Sequence, residues 1–154
     1  MTHLEAKHRA PDDPFEQGGA RRTGLAVFAG LIAISAYFGA LGLILGFLDL
    51  GATVTARLPV GSPVLGGVAL TVVVALPSSA LAWLAWRGDR RTSVGAVVTG
   101  ALILGWIAVE LAFIRELSFF HPTFVVIGLV LIWIGIRSLP GRGRAVQRAF
   151  VKRQ

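Results

Sequence analysis

Glu110 is the residue of this sequence that is best placed to do chemistry inside a membrane. It is the only ionisable residue well inside a long apolar run, which extends from about Val94 to Ile114. It lies about six residues beyond the midpoint of that run, hence roughly 9 Å from the bilayer centre. A carboxylate at this depth costs about 2 to 3 kcal/mol on insertion scales, so it must be protonated, paired or in contact with water. We therefore expect Glu110 to face protein.

Three residues are candidate partners of Glu110, because all are predicted at the same membrane end: Arg57, Arg115 and His121. Arg115 is five positions from Glu110, which departs from the ideal i, i+4 spacing, so Arg57 is the better candidate cation. Two interpretations stay open. The group is a proton or cation relay, or it is a buried ion pair that ties the outer loop to the helices.

Other kinds of site find little support in the sequence. A bis-histidine haem needs two inward-facing histidines, and the remaining two, His3 and His8, lie in the N-terminal tail. No Gly-x-Ser-x-Gly motif or phosphate-binding loop is present. The absence of cysteine excludes disulfides and thiolate ligands. The outer acidic residues and His121 match no metal-ligand spacing, so we expect no enzyme activity, cofactor or metal.

Four apolar runs position these residues. The chain has 154 residues, of which 55% are hydrophobic and only 15% charged, against roughly a quarter charged in soluble domains. Each run is near the roughly 20 residues that a membrane-spanning helix requires, and continuous runs are not barrel strands. The sequence therefore predicts an all-α, four-helix transmembrane bundle with spans at about 24–48, 64–86, 94–114 and 119–136.

The basic residues predict the orientation of the bundle. Thirteen of the 15 lysines and arginines flank one side of the spans, and only Arg57 and Arg115 lie on the other. Basic residues concentrate on the cytoplasmic side, so both termini are predicted to be cytoplasmic in a plasma-membrane protein. Because these cations lie at the ends of apolar runs, they do not form a nucleic-acid-binding face. Three tryptophans fall at the same predicted interface: Trp83, Trp86 and Trp133.

Two tails flank the transmembrane domain of residues 24–136. Residues 1–23 contain Pro, Gly and nearly balanced charges with few apolar residues, which predicts a disordered tail. Residues 137–154 are basic, with Arg144, Arg148 and Lys152 at every fourth position. As an amphipathic helix this segment would contact anionic headgroups, although positive-inside anchoring explains the same charges.

Small residues at helical spacing predict where helices approach one another closely. Helices in lipid associate through close van der Waals contact, which small side chains permit. The stripes could pack within the chain or dock onto another membrane subunit. They comprise Ser35, Gly39, Gly42 and Gly46 in span one, and Ala101, Gly105, Ala108 and Ala112 in span three.

Pro77 interrupts span two. It deprives the Val73 carbonyl of its helical donor, so a kink is expected there. Ser78 and Ser79 are available to satisfy freed backbone groups.

Three segments carry a resemblance to known proteins: RLPVGSPVLGGVAL, AWRGDRR and GWIAVELAFIRELSFFHP. Together they resemble a class of small, uncharacterised four-helix integral membrane proteins common in actinobacteria, over roughly residues 24–136. The resemblance implies a bacterial membrane and no chemistry. Its members tend to carry a Trp-x-Gln-Pro-like turn where this chain has Phe119 to Pro122, which weakens a ligand role for His121.

Two functions are compatible with these features. The first is a non-enzymatic accessory or assembly subunit of a larger membrane complex, with a lipid-import complex as one candidate host. Its partners would be the bilayer, anionic headgroups at the cytoplasmic face and other membrane subunits. The alternative is a small oligomeric carrier or channel that uses Glu110.

Overall fold

The computed structural model describes residues 14–49, 51, 55–56, 61–114 and 120–139, and within these ranges it is all-α with no strand. Five α-helices and one π-helical turn make up the four predicted spans. Span two consists of α2, the π turn and α3 in direct succession. The elements are α1 (Pro14–Leu45), α2 (Pro63–Leu70), the π turn (Thr71–Ala75), α3 (Leu76–Arg87), α4 (Thr92–Ile114) and α5 (Phe120–Ser138).

Four of the helical segments are long and apolar enough to cross a membrane, which confirms the predicted four-helix transmembrane architecture. Their bounds lie within five residues of the predicted ones, the largest difference being at the start of the first. The segments are Gly19–Leu45, Pro63–Arg87, Thr92–Ala112 and His121–Ser138.

The start of α1 differs from the sequence prediction. The helix begins at Pro14, so residues 14–23 are helical although they were predicted as part of a disordered tail. Proline is well suited to a first helical turn, because its missing N–H would have no partner there in any case. Residues 1–13 of that tail, and residues 140–154 of the basic tail, lie outside the described part of the chain.

Two contacts show that the N-terminal part of α1 and the C-terminal end of α5 lie at the same edge of the bundle. Arg22 of α1 lies against Gly88, which follows α3. The hydroxyl of Ser93, near the start of α4, donates to the carbonyl of Ser138 at 3.0 Å. We call this the basic edge, formed by Arg22, loop 88–91 and Arg137.

The first hairpin packs α1 against span two along a stripe of alanines. Gly67 of α2 lies so near that a Cβ built on it would be 2.7 Å from the carbonyl oxygen of Ala40. Such an approach of two backbones is possible only where side chains are small. The buried alanines recur at spacings of three and four residues: Ala26, Ala29, Ala33, Ala36 and Ala40.

The second hairpin packs α4 against α5 through glycines. A Cβ on Gly100 would lie 2.6 Å from the carbonyl oxygen of Gly128, and one on Gly135 would lie 2.7 Å from that of Ser93. These contacts leave no room for a side chain at either position. The two hairpins then share one apolar core: Ala29, Ile32, Ala36, Val74, Ala75, Leu81, Ala96, Ile103 and Leu131.

The region before Pro77 is wound as a π-helix. The N–H of Leu76 donates to the carbonyl of Thr71, five residues earlier, where an α-helix would use four. A π turn is an identifiable cause of helix bending, so the local geometry of span two departs from a regular α-helix where a kink was predicted. Ser79 donates to the Ala75 carbonyl at 2.9 Å, and this is not the Val73 carbonyl that Pro77 deprives of its donor.

Candidate functional site

Glu110 and His121 form the one ion pair found among the described residues. They come from α4 and α5, near the ends that meet opposite the basic edge. The His121 Nε2 atom lies 4.0 Å from the Glu110 Oε2 atom, and the two side chains are 8% and 32% exposed respectively. Of the three partners predicted for Glu110, the structure therefore brings His121 to it, while Arg57 and Arg115 lie outside the described residues.

The inward face of α4 positions Glu110. Ile103 and Ile107 are buried on this face, and Glu110 follows Ile107 by three residues, so all three point to the same side. On α5, His121 lies in the first turn together with Pro122, and its side chain is buried. His121 is therefore buried although it is predicted at the end of a membrane span.

A carboxylate and an imidazole at this separation can exchange a proton or share a cation. At 4.0 Å the pair is at the outer limit for ionic contact and beyond direct hydrogen-bond distance. Proton transfer between the two groups would therefore have to pass through a bridging water molecule. Because about a third of the Glu110 side chain is exposed, the carboxylate has access to the surroundings of the bundle.

Asp49, one of the outer acidic residues, is engaged in a turn of its own. Asp49 accepts a hydrogen bond from the N–H of Gly51 at 2.8 Å, which closes a local turn after α1. Within the described ranges, no group of three His, Cys, Asp or Glu residues is arranged to hold a metal ion.

A second polar cluster lies near the π turn, and only part of it was apparent from the sequence. Thr99 of α4 donates to the Pro77 carbonyl at 3.3 Å, and the Tyr37 hydroxyl of α1 lies 3.5 Å from the Ser79 hydroxyl. The hydroxyl of Ser78 is fully buried and has no hydrogen-bond partner among the described residues. The cluster thus joins three spans at mid-membrane depth. The polar types of Tyr37 and Thr99 within apolar runs were the signal that could have identified them.

The small residues predicted to form a stripe on span one have separate roles. Gly39 contacts Leu70 of α2, whereas Ser35 is exposed. Gly42 accommodates Leu48, whose N–H donates to the Gly42 carbonyl at 3.0 Å as the chain turns back over the end of α1. Gly46 has φ +75° and makes that turn possible. Two of the four predicted residues therefore shape the helix end, and the alanine stripe carries most of the helix packing.

The stripe predicted on span three faces away from the other described helices. Ala101, Gly105, Ala108 and Ala112 are all exposed, and a Cβ on Gly105 would meet nothing within 4 Å. The described residues therefore give no support to packing of this stripe within the chain, and its docking onto another membrane subunit stays a prediction. The internal contact of α4 with α5 uses Gly100, on another face of the helix.

The described part of the chain thus has an acid–imidazole pair with a buried imidazole and a partly exposed carboxyl group, a polar cluster at mid-membrane depth and an exposed face of small residues on α4. Only the pair combines a carboxyl group with an imidazole among the described residues. Comparisons with protein-family models, with curated proteins and with solved structures found no match for this chain.

Proposed function

We propose that this chain is a non-enzymatic, multi-pass subunit of a larger complex in the plasma membrane, and that it acts there in assembly. The observation that supports this proposal is the outward face of α4, where Ala101, Gly105, Ala108 and Ala112 are exposed. We call these four residues the α4 small face. Contact with lipid requires no small side chains, whereas close contact with another helix does.

The other outward surfaces of the bundle have a different composition. Span two presents large side chains on its exposed face: Val68, Val72, Leu76 and Trp83. The α4 small face extends over 12 residues, a rise of about 16 Å along the helix axis, which is roughly half of the hydrocarbon core. A partner helix could therefore approach α4 closely over about three turns.

Co-purification tests this proposal. The chain is isolated from its native membrane in a mild detergent, and stoichiometric partners are identified by mass spectrometry. We expect Gly105→Leu to abolish recovery of the partner, because leucine would separate the two helices. The matched control is Ala80→Leu, which enlarges an exposed alanine on the face of span two that carries large side chains.

Two results would contradict an assembly role: a chain that always purifies alone, or a partner that is retained equally by Gly105→Leu and Ala80→Leu. Among possible hosts, a lipid-import complex is our first candidate. The identities of the co-purified subunits decide between that host and any other.

A second candidate function is a small oligomeric carrier or channel, and the Glu110–His121 pair favours it. A titratable pair in the membrane, accessible at Glu110, is an arrangement that proton-coupled carriers use. Four spans are few for a monomeric carrier, so self-association would be required. Proton flux into proteoliposomes should be lost in Glu110→Gln while the protein stays folded. A flux that survives this change would show that Glu110 is not the relay, and the absence of any flux in the parent chain would exclude the carrier.

A further inference from the structure

An open apolar groove runs along the outward face of α5. Its lining consists of Leu129, Val130, Ile132, Trp133 and Ile136, all of them hydrophobic. From Leu129 to Ile136 the groove covers about 10 Å of helix, compared with about 15 Å for one leaflet of the hydrocarbon core. It ends beside Arg137 and therefore lies within the leaflet adjacent to the basic edge.

Arg137 provides a cation at the mouth of this groove. Its guanidinium carbon lies 4.1 Å from the centroid of the Trp133 ring, and the ring itself is 55% exposed. Stacking orients the planar guanidinium and leaves its N–H groups available to an oxyanion. No carboxylate of the described residues lies within ion-pair distance of Arg137, so this charge has no internal counter-ion there.

Further positive charge lies at the same edge. The hydrogen bond from Ser93 to the Ser138 carbonyl holds the end of α5 beside the start of α4. Arg90 and Arg91 immediately precede α4, and Asp89 is the acidic residue of that loop, where it accepts from the Arg91 N–H at 2.8 Å. The edge as a whole therefore favours an anion.

We propose that this groove binds one anionic phospholipid, with an acyl chain along Leu129 to Ile136 and the phosphate at Arg137. The large side chains of this face are unsuited to the close approach of another helix, unlike the α4 small face. Tryptophan and arginine also prefer the headgroup level of a bilayer, which is where the mouth of the groove lies. The proposal does not depend on the assembly role.

Lipid retention by the full-length chain tests this site. Detergent-purified protein is exposed to equimolar phosphatidylglycerol and phosphatidylcholine with identical acyl chains, and bound lipid is counted by native mass spectrometry. We expect preferential retention of phosphatidylglycerol and about a five-fold loss in Arg137→Gln, as the attraction of one cation near a headgroup implies. The matched control is Arg87→Gln, since Arg87 stacks on Trp83 at 4.2 Å in the same way but outside the groove.

A second variant separates the groove from the charge. Val130→Trp fills the groove and keeps Arg137, so it should also lose phosphatidylglycerol while circular dichroism shows unchanged helicity. Unchanged retention in either groove variant would overturn the proposal, as would an equal loss in Arg87→Gln. If soluble glycerol phosphate fully displaces the bound phosphatidylglycerol, the site binds phosphate alone and the acyl-chain part of the proposal is wrong. A dimer that Val130→Trp dissociates would instead make this face a protein interface.

Discussion

The Glu110 carboxylate and the His121 imidazole meet across the α4–α5 interface, 4.0 Å apart. The two residues are 11 positions apart in the chain, and the reversal of direction between the two helices brings them together. Both residues lie near the helix ends opposite the basic edge. The arginines of that edge are therefore too distant to neutralise the pair. The packing of the second hairpin therefore brings the intramembrane carboxyl group and the imidazole together.

The energetic coupling of this pair can be measured by a double-mutant cycle. We expect Glu110→Gln and His121→Gln each to lower the free energy of unfolding, and the double variant to cost less than the two changes combined. Coupling between residues in contact is about 0.5 to 3 kcal/mol. Reversible unfolding in detergent measures it, and strict additivity would show that the two groups do not interact.

Replacing glycine within α4 should have opposite effects on its two faces. Gly100→Ala would place a Cβ 2.6 Å from the Gly128 carbonyl oxygen, so α4 and α5 must separate, at a cost of about 1 to 3 kcal/mol. Gly105→Ala is the matched control, because a Cβ there meets nothing within 4 Å. It should be neutral or stabilising by up to about 1 kcal/mol through helix propensity. Thermal unfolding of the isolated chain compares them, and equal destabilisation would contradict this packing.

The turn after α3 should tolerate alanine poorly. Gly88 has φ +66°, and a Cβ built on it would lie 2.9 Å from a guanidinium nitrogen of Arg22. Gly88→Ala therefore combines the left-handed backbone cost of about 1 to 2 kcal/mol with displacement of Arg22. Gly46→Ala is the control, since Gly46 has φ +75° with open space around it and incurs the backbone cost alone.

The contribution of Arg22 can be isolated in the same experiment. If its displacement matters, Gly88→Ala should be more destabilising than Gly46→Ala in the parent chain, and the difference should shrink when both are made with Arg22→Ala. Chemical denaturation measures the free energy of unfolding of each variant in the two backgrounds. If Gly88→Ala stays more destabilising than Gly46→Ala without Arg22, the difference comes from the turns themselves.

Two hydroxyls near the π turn should respond differently to removal. Thr99→Val deletes the hydrogen bond to the Pro77 carbonyl and should cost about 0.6 kcal/mol, a typical value for such bonds in membranes. Ser78→Ala removes a buried hydroxyl that has no partner among the described residues, so we expect it to be neutral or stabilising. Unfolding in detergent compares the pair, and a large loss in Ser78→Ala would show that this hydroxyl has a polar partner such as a bound water.

Much of the architecture could be predicted from local sequence. The length of each apolar run reports directly on whether a helix can cross the bilayer, so the four spans followed from composition alone. The start of α1 could not be predicted in this way, because a short segment with few apolar residues is helical only when it extends an existing helix. The inward orientation of Glu110 was also predictable, since a carboxylate avoids lipid. The contact of Glu110 with His121 could not be predicted in the same way, because it depends on how α5 is aligned along α4.

What the sequence by itself determined is which parts of this chain are in the membrane and where its one intramembrane carboxylate lies, because hydrophobicity and charge act residue by residue. Only the tertiary structure decided which small residues face a neighbouring helix. Helix α4 carries small side chains both at Gly100 and along Ala101, Gly105, Ala108 and Ala112, and helical spacing is the same for each set. The approach of α5, through Gly128 and Gly135, turned the Gly100 face inward and left the other exposed. Close packing is a property of two surfaces together, so neither surface alone specifies it.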